Sequence, residues 1–377
     1  MKEMVFLSAL LIAVCVIWSV VMTVWIICGV VCTVRNERRR EAVMAVEQTT
    51  GNPMAEAGIS VVVCGCRGFV DVAEHLSADY LFYEVILVCD TYRTVEGREL
   101  LEHYGMVRVE AEIESGRLCG DVRAVYRSKE RRYRRLVVVD HHGEDEEEML
   151  NCGLAVASYD YVIPVMKGVL LRPDALIMFN SALHEAVGCG VDKRNVVVAG
   201  CSERVSSQNS FEAIRDAVSN VRVAVRLGRR FYGYRYVAMW CSDRVRAAGG
   251  FVVRGGAAVC DMRKAEGGVK MIGAVAEDVG RLMIRDVEWQ RGAVRFFWCI
   301  WGLVVLWEII DNGGAVSERL RLVPLLAYVA VGASGAIALS VEASRGYVVD
   351  QLRYRALLTV LLYPLREFVW LWRSQRH

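Results

Sequence analysis

Hydrophobic positions fall into three regimes along this chain. Near the amino end, Val5 to Val34 is an almost uncharged apolar run, longer than the ~20 residues a helix needs to cross a bilayer. The middle alternates short apolar runs with segments of mixed polarity. Ile59–Val63, Glu84–Val88, Met106–Val109, Leu136–Val139, Tyr161–Val165, Asn195–Gly200 and Tyr236–Trp240 read as strands. Tyr161-Val-Ile-Pro-Val165 is continuously apolar, the pattern of an internal strand buried on both faces. Helices are predicted over Val95–Tyr104, Met149–Ala157 and near Phe211–Asn220. This succession implies an α/β domain, a mixed sheet flanked by helices. Towards the carboxyl end, Ala293–Ile310 and Leu322–Val341 are again long enough to span, the first only just. Ala356–Trp372 is apolar but holds Pro364, Arg366 and Glu367. An interfacial or re-entrant helix suits it better than a span, because charge at mid-bilayer is costly.

These patterns divide the chain into an anchor over 1–34, a basic flank and linker over 35–58, and a domain over 59–292. A transmembrane hairpin over 293–341 and an interfacial segment over 342–377 complete it. Arg35, Arg38, Arg39 and Arg40 follow the anchor directly, whereas only Lys2 precedes it. Positive flanks stay in the cytoplasm, so the expectation is an integral cytoplasmic (inner) membrane protein with its main domain cytoplasmic. Arg281, Arg285, Arg291 and Arg295 before the hairpin, and Arg345, Arg353 and Arg355 after it, agree; Arg319 and Arg321 lie on the far side. Glu47–Gly58 is polar with Gly and Pro, and reads as a linker.

Composition sharpens two exclusions. With 54% hydrophobic residues and a mean hydropathy of +0.29, the 377-residue chain is too apolar for an ordinary soluble protein. A net charge of +2 gives no support for nucleic-acid binding. Thirteen cysteines are scattered singly or set in apolar runs, and Cys64-x-Cys66 has no matching pair, so no zinc-ribbon spacing exists. Small buried thiols in a reducing compartment are the expectation.

The chemistry concentrates between Asn151 and Leu176. A helix of small and apolar residues that must pack closely on a sheet leads into the strand Tyr161–Val165. Pro173 then opens a new helix, with Asp174 near its positive end. Met166-Lys167-Gly168 is thus a tip at the carboxyl end of a strand, where open α/β sheets bind ligands. Asp90 ends the second strand, either as a turn residue or as a ligand group. The basic run Arg127–Arg135 is a solvated helix face or a surface for acidic lipid headgroups. His141 to Glu148 mixes imidazoles and acids, which suits a metal site or, more simply, an acidic helix N-terminus.

Asn151-x-Gly-Leu-x-x-Ala, the aromatic-bearing strand, the three-residue tip and Leu171-x-Pro-Asp-Ala-Leu together resemble a membrane-anchored family-2 glycosyltransferase of GT-A fold. The architecture is similar to that of cellulose and hyaluronan synthases. The resemblance implies transfer of a sugar from a nucleotide-sugar donor to a lipid-linked or polysaccharide acceptor at the cytoplasmic membrane face. In that family two tip aspartates hold a divalent metal; here they fall on Met166 and Gly168, so no metal cofactor is expected. The family's Gly-Lys ahead of the Asn151 helix is replaced by acids. Donor-side residues implied by the resemblance are Asp90, Asn151, Lys167 and Gly168. Strand alternation would point Lys167 away from its neighbours, with Arg93 and Arg117 as other cations able to reach in. Acceptor-side residues are Gly249, Gly250, Phe251, Gln290 and Arg291, although Ala293 stands where a further arginine is expected. Glu277-Asp278 matches the family's Glu-Asp, whose aspartate takes the proton from the acceptor hydroxyl; its other reading is an acid in the first turn of a helix over Asp278–Arg285. The alternative function is a catalytically inactive relative that binds or scaffolds within a polysaccharide-assembly complex. Partners on either reading are the bilayer, a nucleotide sugar, a glycan acceptor and polysaccharide-assembly proteins.

Overall fold

The computed structural model describes residues 2–50, 57–65, 69–92, 95–110, 119, 122–143, 145–204, 213–215, 217–218, 236–254, 257–259, 270–278, 298–307, 309–310, 318–344, 359–366 and 368–369. The chain divides into two compact units. One comprises Met1–Asn36, Val205–Val225 and Ile284–His377; the other comprises Glu37–Arg204 and Arg226–Met283.

The first unit is helical. Helix α1 (Lys2–Thr50) contributes its leading part, and a second long helix, Glu318–Ser344, packs beside it. Cys15, Val323 and Ala327 form one buried cluster, with Trp18, Trp298 and Trp301 around it. A second cluster joins Ile26, Ile214, Ala217, Ala338 and Tyr363. Residues 213–215 and 217–218 therefore supply part of the helix expected near Phe211–Asn220, and they pack in this unit. Among the described residues two helices are long and apolar enough to cross a membrane, Ile12–Val46 and Arg321–Val341. The 35–58 flank departs from expectation, because α1 continues unbroken to Thr50. Its Arg, Glu and Ala residues are strong helix formers, so the connection to the next strand is shorter than the composition suggests.

The second unit is a mixed α/β fold. Its strands are β1 (Ile59–Cys64), β2 (Tyr83–Cys89), β3 (Met106–Val109), β4 (Val122–Ser128), β5 (Leu136–His141), β6 (Tyr161–Val165), β7 (Val169–Leu170), β8 (Val196–Arg204), β9 (Tyr236–Cys241), β10 (Val252–Arg254), β11 (Ala257–Val259) and β12 (Lys270–Asp278). Ten form one sheet in the order β3-β4-β5-β2-β1-β6-β9-β8-β12-β7, and β10 pairs with β11 separately. The helices are α2 (Phe69–Leu76), α3 (Val95–His103), α4 (Glu146–Val156), α5 (Ala175–Gly188) and α6 (Ser242–Ala247). Strands β5, β2, β1 and β6 run parallel, with β1 at the point where the order reverses towards β6.

Continuous burial of these strands conceals a period of two. Val61, Val63, Val85, Leu87, Ile163 and Val165 face the layer holding α5. Their neighbours Val62, Cys64, Ile86, Val88 and Val162 face α4. The small-residue helix packs as closely as its sequence predicts: a Cβ on Gly153 would lie 2.2 Å from Val62 Cγ1.

Two local expectations are corrected. The basic run Arg127–Arg135 is the end of β4 followed by a 3-10 turn over Arg131–Tyr133, not a helix face. Val125 and Arg127 pair with Val139 and Val137, and this long-range pairing overrides the helical propensity of arginine and lysine. Asp278 stands at the end of a strand, and 279–285 lie outside the described residues. Helix α5 begins at Ala175, with Asp174 at its cap position, so Pro173 lies just outside it. The cysteines bring a third correction, because Cys119 and Cys152 are disulfide-bonded, with their Cα atoms 4.7 Å apart. Their separation of 33 residues carries no hint of this; the fold brings residue 119 against α4.

Candidate functional site

Strands β1, β2, β5, β6 and β12 all end at the same edge of the sheet. Polar residues follow β2, β5 and β6, where strands buried along their length meet water.

At the end of β6 the chain turns sharply. Val169 N–H donates to Met166 C=O at 3.0 Å, and Gly168 takes φ of +84°, a left-handed conformation that glycine adopts without strain. Lys167 sits at the exposed corner of this turn. Its side chain runs back over the end of β1, with Cδ 3.8 Å from where a Cβ on Gly65 would lie. Alternation is broken by the turn, so Lys167 leans over the switch between β1 and β6.

The returning strand β7 pairs antiparallel with the end of β12, Val169 opposite Asp278 and Leu170 opposite Glu277. The pair 277–278 is therefore brought beside the Met166–Gly168 tip, although about 110 residues separate them in sequence. Gln290 and Arg291, like Arg93 and Arg117, lie outside the described residues.

Asp90 is not isolated. Arg123, from β4, bonds both Asp90 and Asp140, the latter at 2.9 Å, and reaches the His141 carbonyl at 3.4 Å. Thr91 N–H donates to Asp140 at 2.8 Å, and Tyr92 N–H to Asp90 at 3.2 Å. His142 Nδ1 lies 3.8 Å from Asp90. The hydrogen bond to Asp90, against the opposing effect of burial, holds the Arg123 guanidinium above its ordinary value, so it is charged throughout the physiological range. Exposed Tyr92 lies 5.7 Å from that guanidinium, a flat surface of aromatic ring and cation. Arg123 and Asp140 escape sequence reasoning for different reasons. Asp140 carries the same signal as Asp90, an acid closing an apolar strand. Arg123 carries none, since only the β4–β5 pairing delivers it.

Asn151 has a different place. Its amide accepts from Phe251 N–H at 2.7 Å and donates to Phe251 C=O at 3.0 Å. Both halves of the side chain are thus engaged in a clamp between α4 and the segment after α6. Glu147 adds a second clamp by accepting from Val253 N–H at 3.1 Å. Gly249 and Gly250, with φ of +93° and +96°, end α6 through bonds to Arg246 and Val245. Phe251 is buried against Trp240 and anchors this segment in the core.

Acids of the 144–148 run begin α4. Asp145 caps it by accepting from Glu147 N–H, and Glu146, Glu147 and Glu148 fill its first turn, where the helix dipole favours them. His141 is buried, with its Nε2 3.6 Å from Glu148. Among the described residues no group of three or more His, Cys, Asp or Glu is arranged to hold a metal. The tip itself offers a thioether and a glycine, which are not side-chain ligands for a hard divalent cation. The residues present do not fit the ion that the resemblance would bring.

Comparisons with known proteins add little to this geometry. No family model matches the chain, and no curated protein matches it. Among solved structures the chain is similar to a crystal structure of S. aureus TarS 1–349, with 12% identity and a TM-score of 0.34 over 85% of this chain and 93% of that one.

Proposed function

We propose that the chain is a membrane-held glycosyltransferase that moves a sugar from a nucleotide-sugar donor to a lipid-linked or polysaccharide acceptor at the cytoplasmic face. One observation carries the reading: the register that sets Asp278 opposite Val169, immediately after the strand-end tip. A general base and a donor-binding crevice must adjoin for displacement at the anomeric carbon to proceed in line. In the step proposed, the acceptor oxygen attacks the anomeric carbon while the bond to the diphosphate oxygen breaks. The hydroxyl proton passes to the Asp278 carboxylate, and the configuration inverts. Lys167, over the end of β1, offsets charge on the departing diphosphate. The Asp90–Arg123–Tyr92 surface receives the nucleoside, by hydrogen bonding and by stacking. No step is routed through a divalent ion. Apolar residues exposed around α1, among them Ile17, Val20, Val24 and Val31, support a bilayer as its surroundings.

A second reading, a catalytically inactive binding subunit of a polysaccharide-assembly complex, is favoured by a specific feature. Arg123 neutralises Asp90 and Asp140 internally, and the α4 acids repel phosphate. Turnover of mixed nucleotide sugars by membranes bearing wild type or Asp278→Asn, measured with and without EDTA, separates the two. The transferase reading expects EDTA-insensitive turnover that falls at least 100-fold in the variant. Donor binding without turnover in wild type selects the second reading, and absence of donor binding refutes the transferase reading.

A further inference from the structure

At the opposite edge of the sheet, before β2, two large apolar side chains stand in water: Leu81 is 59% exposed and Phe82 52%. Neither is loosely held. Phe82 C=O accepts from Ile59 N–H at 3.0 Å, and Leu81 C=O accepts from Arg135 at 3.1 Å. Arg135 also lies 4.5 Å over the Tyr83 ring, which fastens this loop to the β4–β5 turn. That turn carries Lys129, Arg131, Arg132 and Arg134, all exposed, and Glu130 pairs with Arg132 and offsets one charge. A pinned apolar pair is thus bordered by a cationic rim.

The position of this patch identifies what it meets. Asp79, two residues before Leu81, donates its N–H to Pro173 C=O at 2.9 Å. The next residue, Asp174, is bonded by Arg40 of α1, in the basic flank that follows the apolar run. The loop that leads to the patch is thus tied, through Pro173 and Asp174, to the basic stretch of α1 that belongs to this same unit. We infer that Leu81 and Phe82, with the Lys129–Arg134 turn, form a second membrane contact that seats this unit on an anionic lipid surface. Apolar side chains enter the headgroup–acyl boundary while the surrounding cations meet lipid phosphates, a division of labour that neither group achieves alone. The inference rests on the membrane reading of α1 and is independent of whether sugar transfer occurs.

The test uses the full chain in nanodiscs of phosphatidylcholine, with and without phosphatidylglycerol, under limited trypsin. Cleavage after Arg131, Arg132 and Arg134 is followed by mass spectrometry. Cleavage after Lys167, exposed at the far edge of the sheet, serves as the control. The anionic lipid is expected to slow the first set about five-fold or more, the size of one basic residue's attraction to an anionic leaflet, and to leave the control unchanged. Leu81→Ser/Phe82→Ser, a surface change that leaves every tryptic site intact, is expected to remove most of the slowing. Equal rates in both lipids, or a slowing that the double variant keeps in full, overturns the inference.

Discussion

Replacing Arg123 by Met removes a cation from between two carboxylates and leaves most of the volume filled. The side chains of Asp90 and Asp140 are 10% and 6% exposed, so neither is readily rehydrated when its partner goes. Stripping one partner from a buried pair costs about 3–5 kcal/mol. Arg123 itself is 32% open to solvent, which lets water replace part of what it supplied, and about 2–3 kcal/mol is the expected loss. For a unit of this size that lowers the thermal midpoint by about 4–12 °C, measurable by circular dichroism of the full chain in detergent. One control isolates charge from packing. Adding Asp90→Asn and Asp140→Asn to Arg123→Met is expected to recover most of the loss, because no buried charge is then left unpaired. A midpoint shift under 1 °C, or no recovery with the asparagines, would refute this account of Arg123.

Further outcomes follow from the same packing. Gly153→Ala drives a methyl to 2.2 Å from Val62 and 3.2 Å from Val88; a loss of about 1–3 kcal/mol is expected in urea unfolding, and an unchanged midpoint would contradict the helix–sheet spacing. Asn151→Ala strands the buried N–H and C=O of Phe251, with an expected loss of about 1–3 kcal/mol for each group left unpaired, read by the same unfolding. Reducing Cys119–Cys152 releases a 33-residue separation, worth about 3–4 kcal/mol by loop closure; the midpoint with and without dithiothreitol checks it, alongside the mass of the alkylated chain. Burial pushes the Cys64 thiol up and the Tyr161 hydroxyl up to about 12. Both groups hold their protons longer folded than unfolded, so their contribution is complete below pH 9 and declines as pH climbs towards 12. A thermal midpoint flat from pH 8 to 11 would count against it.

The apolar runs were enough to place most of the sheet. Ile59–Val63, Glu84–Val88 and Tyr161–Val165 lie within a residue of the observed strands, because a strand buried on both faces writes its limits directly into hydrophobicity. Strand β4 was missed for the complementary reason. Two arginines interrupt its apolar run, Arg127 exposed and Arg123 paired with Asp90 and Asp140, and its identity comes from pairing with β5. For Asp278 the sequence leaves two readings open, because an acid near a strand end and an acid at a helix start look alike in one dimension; the structure puts it at the end of β12.

What the sequence determined alone was local. It set which segments are too apolar for water, where glycine must turn the chain, and which acids and cations close the central strands. Only tertiary structure decided who meets whom: Asn151 turned inward to Phe251, Arg123 set between Asp90 and Asp140, Cys119 joined to Cys152, and Asp278 drawn beside the Met166–Gly168 turn. Hydrophobic pattern is a property of each segment and survives reading one residue at a time. Pairing between segments depends on strand order and register, which arise from burying all those segments together.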